Sequence, residues 1–236
     1  NTGILRHLVH RIIPNVFGDA ESLTEIISNP VNFAALDGAA QAVKMRLSSL
    51  VVNVHHEGPA ESAEKVQITY LNDEKMHQVT ADRVVMAGQQ RLNKRVVTDL
   101  PESYRAAMDE FKHSPMLTVN VALRNWKFMD NMGVASVRWF GDNMGGWFTS
   151  LRKQMVLDGE EPMPLDPEKP TVLTLYNSFC TPGLPLHEQT VAARMKLFSL
   201  SYVDVENEIR SQFTKMFGPG GFDADRDIAG ITLNRQ

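Results

Sequence analysis

The sequence contains a single cysteine, Cys180, among its 236 residues. One thiol cannot close a disulfide within the chain, and it cannot build a cysteine-based zinc or iron–sulfur site. Cys180 precedes a Thr-Pro-Gly turn, where a lone thiol is either a nucleophile or an inert side chain. We expect the inert thiol, because few free cysteines are reactive.

Long apolar runs and clusters of one charge are also missing. No stretch approaches the roughly 20 apolar residues that cross a bilayer. The formal net charge is −4, and Lys and Arg do not cluster as phosphate binding requires, so we expect no nucleic-acid partner. The hydrophobic share of 43% instead predicts a globular protein of one large domain or two small ones.

No complete catalytic motif is present. The chain lacks G-x-G-x-x-G, a P-loop, H-E-x-x-H and G-x-S-x-G. His7 and His10 lie one helical turn apart, but no carboxylate or cysteine completes a metal site, so we expect them on a solvated helix face. His55 and His56 are adjacent in a predicted strand and project to opposite faces, so they cannot bind one ion together. These patterns predict an α/β or α+β enzyme segment without a metal.

The first half changes from helical to strand periodicity. Apolar spacing predicts a helix from Gly3 to Pro14, and the capping-box pair Ser22 and Glu25 predicts a short helix ending near Asn29. Period-two patterns then predict strands at Met45–Leu47, Leu50–His56, Lys65–Leu71, Met76–Thr80 and Asp82–Gly88. The last of these is typical of a buried parallel strand. The sequence therefore predicts a β-meander and a return to a central sheet.

The composition shifts in the segment Gln89–Asp99, where we place a domain boundary. All three tryptophans follow it. Four prolines predict a surface loop over Asp158–Pro170. The other predicted elements are helices at Pro101–His113, Val191–Phe198 and Val203–Phe217, and strands at Met116–Leu123, Val134–Phe140, Trp147–Leu151, Thr171–Tyr176 and Ile228–Leu233. Because helix and strand patterns reach both ends without polar tails, we expect an internal segment of a longer protein; a processed mature domain is the alternative.

Several segments resemble, in order along nearly the whole chain, the flavin-containing amine oxidoreductase family. Asn1–Pro14 resembles the helix that follows a Gly-Gly turn in that family, Met45–Val54 resembles one of its strands, and Asp82–Gly88 is similar to its returning strand. Thr118–Trp126 (TVNVALRNW) and Gly220–Ile231 (GGFDADRDIAGI), with the Pro182-Gly183-Leu184-Pro185 turn, look like the bacterial spermidine dehydrogenase branch.

The resemblance implies an α/β (α+β) fold in three parts. Residues 1–95 would form part of a Rossmann-like FAD-binding domain with a β-meander. Residues 96–227 would form a mixed-sheet and helix substrate domain, and residues 228–236 would start the return to the first domain. FAD is the implied cofactor.

Three residues are implied cofactor contacts. Val51 aligns with a strand whose backbone contacts the adenine end of FAD, although a sheet-core role is equally open. Ala87 and Gly88 match small residues where the returning strand approaches the cofactor. Gly88 is alternatively an ordinary strand-ending glycine.

The implied reaction is hydride transfer from the carbon beside an amine nitrogen to flavin N5, followed by hydrolysis of the imine. The aromatic residues Trp126, Trp139, Trp147 and Tyr176 are candidates for lining the substrate site, with core packing as the alternative that we expect for most of them. Many relatives have a lysine on the strand that contains Asn120, and an amide cannot act as a base. Asn120 is thus a weak catalytic candidate, and the catalytic residues are otherwise unassigned.

Two other functions stay open at this point. One is a flavin-fold dehydrogenase or desaturase with a non-amine substrate; the other is a non-catalytic binding protein derived from a flavoprotein. The implied partner is a small-molecule amine, similar to a polyamine. The electron acceptor is open, and so is the compartment, bacterial periplasm or cytoplasm.

Overall fold

A computed structural model describes residues 2–141, 145–153, 155–157 and 159–235. The chain forms two compact units. The first is Asn1–Phe111 with Met155–Glu161, and the second is Lys112–Gln154 with Pro162–Gln236. The division lies after the segment where the sequence placed it, because most of Gln89–Asp99 folds as a helix of the first unit.

The first unit contains five helices and three strands among its described residues. They are α1 (Thr2–Ile12), α2 (Leu23–Ser28), α3 (Phe33–Leu36), β1 (Leu50–His56), β2 (Val66–Asn72), β3 (Lys75–Ala81), α4 (Gln90–Val96) and α5 (Glu102–Asp109). The strands form an antiparallel meander in the order β1-β2-β3, as predicted. The predicted capping box of α2 is also confirmed, since Ser22 and Glu25 each bond the other's backbone N–H.

Helix α1 is turned opposite to the expected orientation. Most of its apolar residues, including Leu5 and Leu8, are exposed, and only Val9 among the larger ones is half-buried. Arg6 explains the difference, because its guanidinium donates to the backbone oxygens of Ile26 and Asn29 and lies over the Phe17 ring. The expectation that His7 and His10 face solvent was therefore wrong. Both are half-buried, and their Nδ1 atoms have no hydrogen-bond partner among the described residues.

Two predicted strands of the first unit, Met45–Leu47 and Asp82–Gly88, are not strands. The Met45 N–H donates to the oxygen of Leu36 rather than to a neighbouring strand. In the second segment Val85 is 89% exposed. The three-stranded sheet, as far as the described residues show, offers no parallel neighbour to this segment, so its apolar residues have no ladder to join.

The second unit contains a five-stranded sheet with helices. Its elements are β4 (Met116–Leu123), α6 (Lys127–Asn131), β5 (Ser136–Gly141), β6 (Gly145–Ser150), β7 (Thr171–Ser178), α7 (Leu186–Ser199), α8 (Tyr202–Phe217), a 3-10 turn (Gly218–Gly220), α9 (Ala224–Asp227) and β8 (Ile228–Arg235). The predicted loop is confirmed over 159–170, while Asp158 lies outside the described residues.

The strand order β5-β6-β7-β4-β8 differs in two respects from the expected substrate domain. Every pairing is antiparallel, whereas a mixed sheet was expected. Strand β8 pairs with β4, so residues 228–235 complete the second unit's sheet rather than start a return to the first domain. The reason is that the β4 edge facing β8 supplies a ladder over almost the full length of both strands.

One hydrophobic core holds this sheet and its helices together. Alternate residues of β4, from Leu117 to Leu123, are buried with Leu173 and Leu175 of β7 and with Ile209, Phe213 and Phe217 of α8. At one end of this core the backbone at Gly220 lies so close to Phe128 that a Cβ added at Gly220 would be 2.3 Å from the backbone oxygen of Phe128. The opposite face of the sheet carries polar side chains.

Candidate functional site

The cofactor candidates of the first unit lie on exposed backbone. Val51 is 37% exposed on β1, an edge strand, and pairs with Tyr70 next to an irregularity of register. Ala87 and Gly88 are exposed in the segment that follows β3. An edge strand and small, accessible residues fit backbone contact with a flat ring system such as the adenine of FAD. No Gly-rich phosphate loop occurs in the sequence, so these positions would hold only one end of that cofactor.

A second reason for a small residue at position 88 is visible in the structure. Asn93 of α4 is buried, and its Nδ2 donates to the backbone oxygens of Met86 and Gly88, at 3.1 Å each. A Cβ on Gly88 would lie 2.8 Å from Asn93 Oδ1. The sequence reasoning missed Asn93, a polar residue in the segment Gln89–Asp99 where we placed the domain boundary.

The five-stranded sheet has a continuous face of polar and aromatic side chains, which we call the polar face. One row crosses all five strands as Arg138, Phe148, Tyr176, Thr118 and Asn234. Each is directly opposite the next in register, and directly opposed residues of a sheet project to the same side. These side chains are half-buried or exposed, whereas the neighbouring residues on β4 and β7 are mostly buried in the core.

Asn120 lies at the centre of the polar face in a three-strand hydrogen-bond chain. The hydroxyl of Thr174 on β7 donates to Asn120 Oδ1 at 2.9 Å. Asn120 Nδ2 lies 3.3 Å from Thr232 Oγ1 on β8. Both partners are opposite Asn120 in register, so the amide is fixed from two sides. Two residues before Asn120 on the same strand, Thr118 Oγ1 is buried without a hydrogen-bond partner among the described residues.

The aromatic candidates separate into two groups. Trp126 and Trp147 are buried in the core at 8% and 2% exposure, and Trp139 packs against the same core from β5. Tyr176 lies on the polar face, where its ring and hydroxyl contact Arg152 at 6.0 Å and 3.4 Å. The structure thus brings together Asn120 and Tyr176, and it places the three tryptophans on the other side of the sheet.

The charges on the polar face are positive. None of the strands β4 to β8 contains an Asp or Glu residue. Arg138 lies on the face itself, with its guanidinium 5.7 Å from the Phe140 ring centroid, and Arg152 adjoins it at Tyr176. A cationic group would therefore find aromatic rings and amide oxygens here, but no strand carboxylate.

A buried carboxylate fixes the start of β8 and so the position of Thr232. Asp227 is 1% exposed and accepts from Arg226 Nε at 2.8 Å, from Asn125 Nδ2 at 3.1 Å and from the N–H of Asp223 at 2.9 Å. The hydrogen bonds from Arg226, supported by those from Asp223 and Asn125, lower the pKa of Asp227 to about 2. The carboxylate is thus ionised at neutral pH despite its burial.

Metal and membrane sites are not found in the described part of the chain. No group of three or more His, Cys, Asp and Glu side chains is placed there to hold a metal ion. None of its helices combines the length and apolar character needed to cross a membrane. Cys180 is exposed.

No protein-family model and no curated protein matches the sequence. Among solved structures, the chain is similar to cyclohexylamine oxidase from Brevibacterium oxydans, with a TM-score of 0.50 and 14% sequence identity; that match covers 79% of this chain and 33% of the other. A putrescine oxidase double mutant from a redesign of cofactor binding is similar at a TM-score of 0.46 and 15% identity, covering 95% of this chain and 49% of the other.

The chain therefore spans about a third of the first of these structures and about half of the second. At 14% identity the first likeness shows a shared fold. It confirms the expected fold class, α/β (α+β), and the chain is similar to part of that oxidase's fold.

Proposed function

We propose that this chain is part of a FAD-dependent oxidoreductase that oxidises an amine. The observation that carries the proposal is the fold shared with cyclohexylamine oxidase over 79% of this chain. The ordered sequence resemblance to the flavin-containing amine oxidoreductases supports it independently. Because a fold hosts many functions, the site residues decide what the proposal requires of this chain.

The first unit is the proposed partial FAD-binding domain. Val51 on the edge of β1 and the exposed Ala87–Gly88 segment fit backbone contacts with the adenine end, and Asn93 holds that segment in place. FAD, when bound, supplies the hydride acceptor. The phosphate-binding loop is not in this sequence, so we propose that the 236 residues alone bind FAD weakly and are inactive.

The polar face of the second unit is the proposed substrate side. Tyr176 offers an aromatic ring, and Asn120 is held by Thr174 and Thr232 with its amide fixed. Asn120 cannot remove a proton, so its proposed role is to orient the amine by hydrogen bonding. Trp126, Trp139 and Trp147 are assigned to packing, in agreement with their place in or against the core.

The substrate class within the amines is a finer proposal. A polyamine needs carboxylates or aromatic faces for its remote cations. The polar face has aromatic rings, but its strands carry no carboxylate, and Arg138 and Arg152 would repel a second cation. This observation favours a monoamine over a spermidine-like substrate. It also supports a second candidate function, the oxidation of a non-amine apolar substrate on the same flavin fold.

Reduction of an artificial electron-acceptor dye tests the proposal. The full-length protein that contains this chain, supplied with FAD, is incubated with cyclohexylamine, with spermidine and with cyclohexanol as the matched non-amine. We expect dye reduction with cyclohexylamine, slower reduction with spermidine, and none with cyclohexanol or with the 236-residue chain alone. Equal reduction with cyclohexanol would contradict amine oxidation, and faster reduction with spermidine would restore the polyamine assignment.

A further inference from the structure

The second unit has a pocket whose lining does not include Asn120 or Tyr176, the polar-face residues that the proposed function uses. It lies where the chain leaves β6 and enters β7, and its volume is about 670 Å³. Volumes of this size are typical of small-molecule sites. Its apolar lining includes Trp126, Met163 and Leu165. Met163 and Leu165 are 72% and 46% exposed, so a ligand in the pocket would cover apolar surface that now faces solvent.

The charged lining of the pocket is predominantly cationic. Arg152, Lys153 and Lys169 line it, together with one carboxylate, Asp166. Asp166 is engaged in a turn, since its Oδ1 accepts the N–H of Glu168 at 3.0 Å and its backbone oxygen accepts the N–H of Lys169 at 3.0 Å. No carboxylate of the described chain forms an ion pair with any of the three cations. The lining therefore carries three cations and one carboxylate, a net positive charge, beside an apolar wall.

Arg152 is held in position for an anion. The Tyr176 hydroxyl accepts from Arg152 Nη2 at 3.4 Å, and the guanidinium lies 6.0 Å from the Tyr176 ring centroid. This contact uses one of the five guanidinium N–H groups. A planar guanidinium matches a carboxylate, which it can bind through two parallel hydrogen bonds.

The wall of the pocket is tied to the folded core. Trp126 is 8% exposed, and its backbone N–H donates to the backbone oxygen of Pro167 at 3.0 Å, which connects the proline-rich loop to the start of α6. The loop that carries Leu165 and Lys169 is thus anchored next to the indole.

We propose that this pocket binds an organic carboxylate with an apolar body. The body packs on Trp126, Met163 and Leu165, and the carboxylate pairs with Arg152, supported by Lys153 and Lys169. Binding here does not depend on flavin or on amine oxidation.

Isothermal titration calorimetry of the full-length protein with four probes tests the proposal. The probes are 3-phenylpropionate, 3-phenylpropanol, 3-phenylpropylamine and acetate, which separate the carboxylate from the apolar body. We expect 3-phenylpropionate to bind about tenfold or more tighter than each of the others, because a charge-assisted hydrogen bond and the apolar contact both contribute. Equal affinity for the alcohol, or tighter binding of the amine, would overturn the anion site. Acetate binding as tight as 3-phenylpropionate would overturn the apolar wall.

Two variants with matched chemistry locate the site. Arg152→Gln removes the guanidinium and is expected to weaken 3-phenylpropionate binding about tenfold. Arg138→Gln removes an arginine of the same sheet that does not line the pocket, and it should leave the affinity unchanged. Both side chains are exposed, so folding is not at risk. An unchanged affinity in Arg152→Gln, or an equal loss in Arg138→Gln, would contradict the assignment; the amine-oxidation proposal is untouched by either result.

Discussion

Replacing Phe217 with alanine is expected to lower the free energy of unfolding of the second unit by about 3–5 kcal/mol. Phe217 is fully buried at the end of α8. Its ring centroid lies 4.8 Å from that of Phe128 and 5.2 Å from that of Phe213, the latter pair edge to face. Truncation removes these contacts and leaves a cavity in the core that joins α6, α8 and the sheet.

Urea unfolding followed by tryptophan fluorescence measures this effect for the second unit specifically, because Trp126, Trp139 and Trp147 all lie in it. The control is Phe198→Ala in α7, where the side chain is 64% exposed. We expect the control to change the free energy by less than about 0.5 kcal/mol. A loss in Phe217→Ala no larger than in Phe198→Ala would show that the assigned core is wrong.

The second large effect is expected from Asp227→Asn, and it depends on pH. Because the pKa of Asp227 falls from 3.8 to about 2 on folding, its ionised form stabilises the folded state. A shift of this size corresponds to about 2–3 kcal/mol at neutral pH. This contribution is fully present above the unfolded pKa, near pH 4, and is lost as the pH falls through the folded value near 2. Asparagine keeps the shape but cannot supply the charge that Arg226 pairs with.

Free energies of unfolding of the wild type and Asp227→Asn, compared from pH 7 to pH 2, test this. We expect the variant to be less stable by about 2–3 kcal/mol at pH 7, with the difference shrinking below pH 4. Asp225→Asn is the control, since the Asp225 side chain is 99% exposed and its contact with Arg210 is 3.4 Å long. A pH-independent difference would mean that the charge of Asp227 is not what stabilises β8.

Much of the second unit's secondary structure could be predicted because its signals are local. Strand β4 begins and ends at the predicted residues, since one of its faces is core and strict alternation follows. In the first unit, the capping box at Ser22 was also predicted correctly, because it depends on residues three positions apart. Predictions failed where the structure depends on contacts between residues that are distant in sequence. Arg6 orients α1 by donating hydrogen bonds to the backbone oxygens of Ile26 in α2 and of Asn29 just after it, and the apolar spacing of α1 does not encode these partners.

The candidate site was predictable only residue by residue. Asn120 was singled out from its strand and resemblance, but its partners Thr174 and Thr232 are far away in sequence and depend on the register of three strands. The tryptophans were predicted as candidates for lining the substrate site. Cross-strand pairing instead places Trp139 opposite Trp147 on the core side of the sheet. Arg152 and its pocket gave no sequence signal, because the pocket is assembled from a strand end and a proline-rich loop.

The central claim, that this chain is part of a FAD-dependent amine oxidoreductase, is tested most directly by an absorbance spectrum. The full-length protein is purified, and its spectrum is recorded without oxygen before and after the addition of an amine. We predict a flavin band that bleaches with cyclohexylamine and not with cyclohexanol. A protein without flavin, or a flavin band indifferent to every amine tested, would contradict the claim.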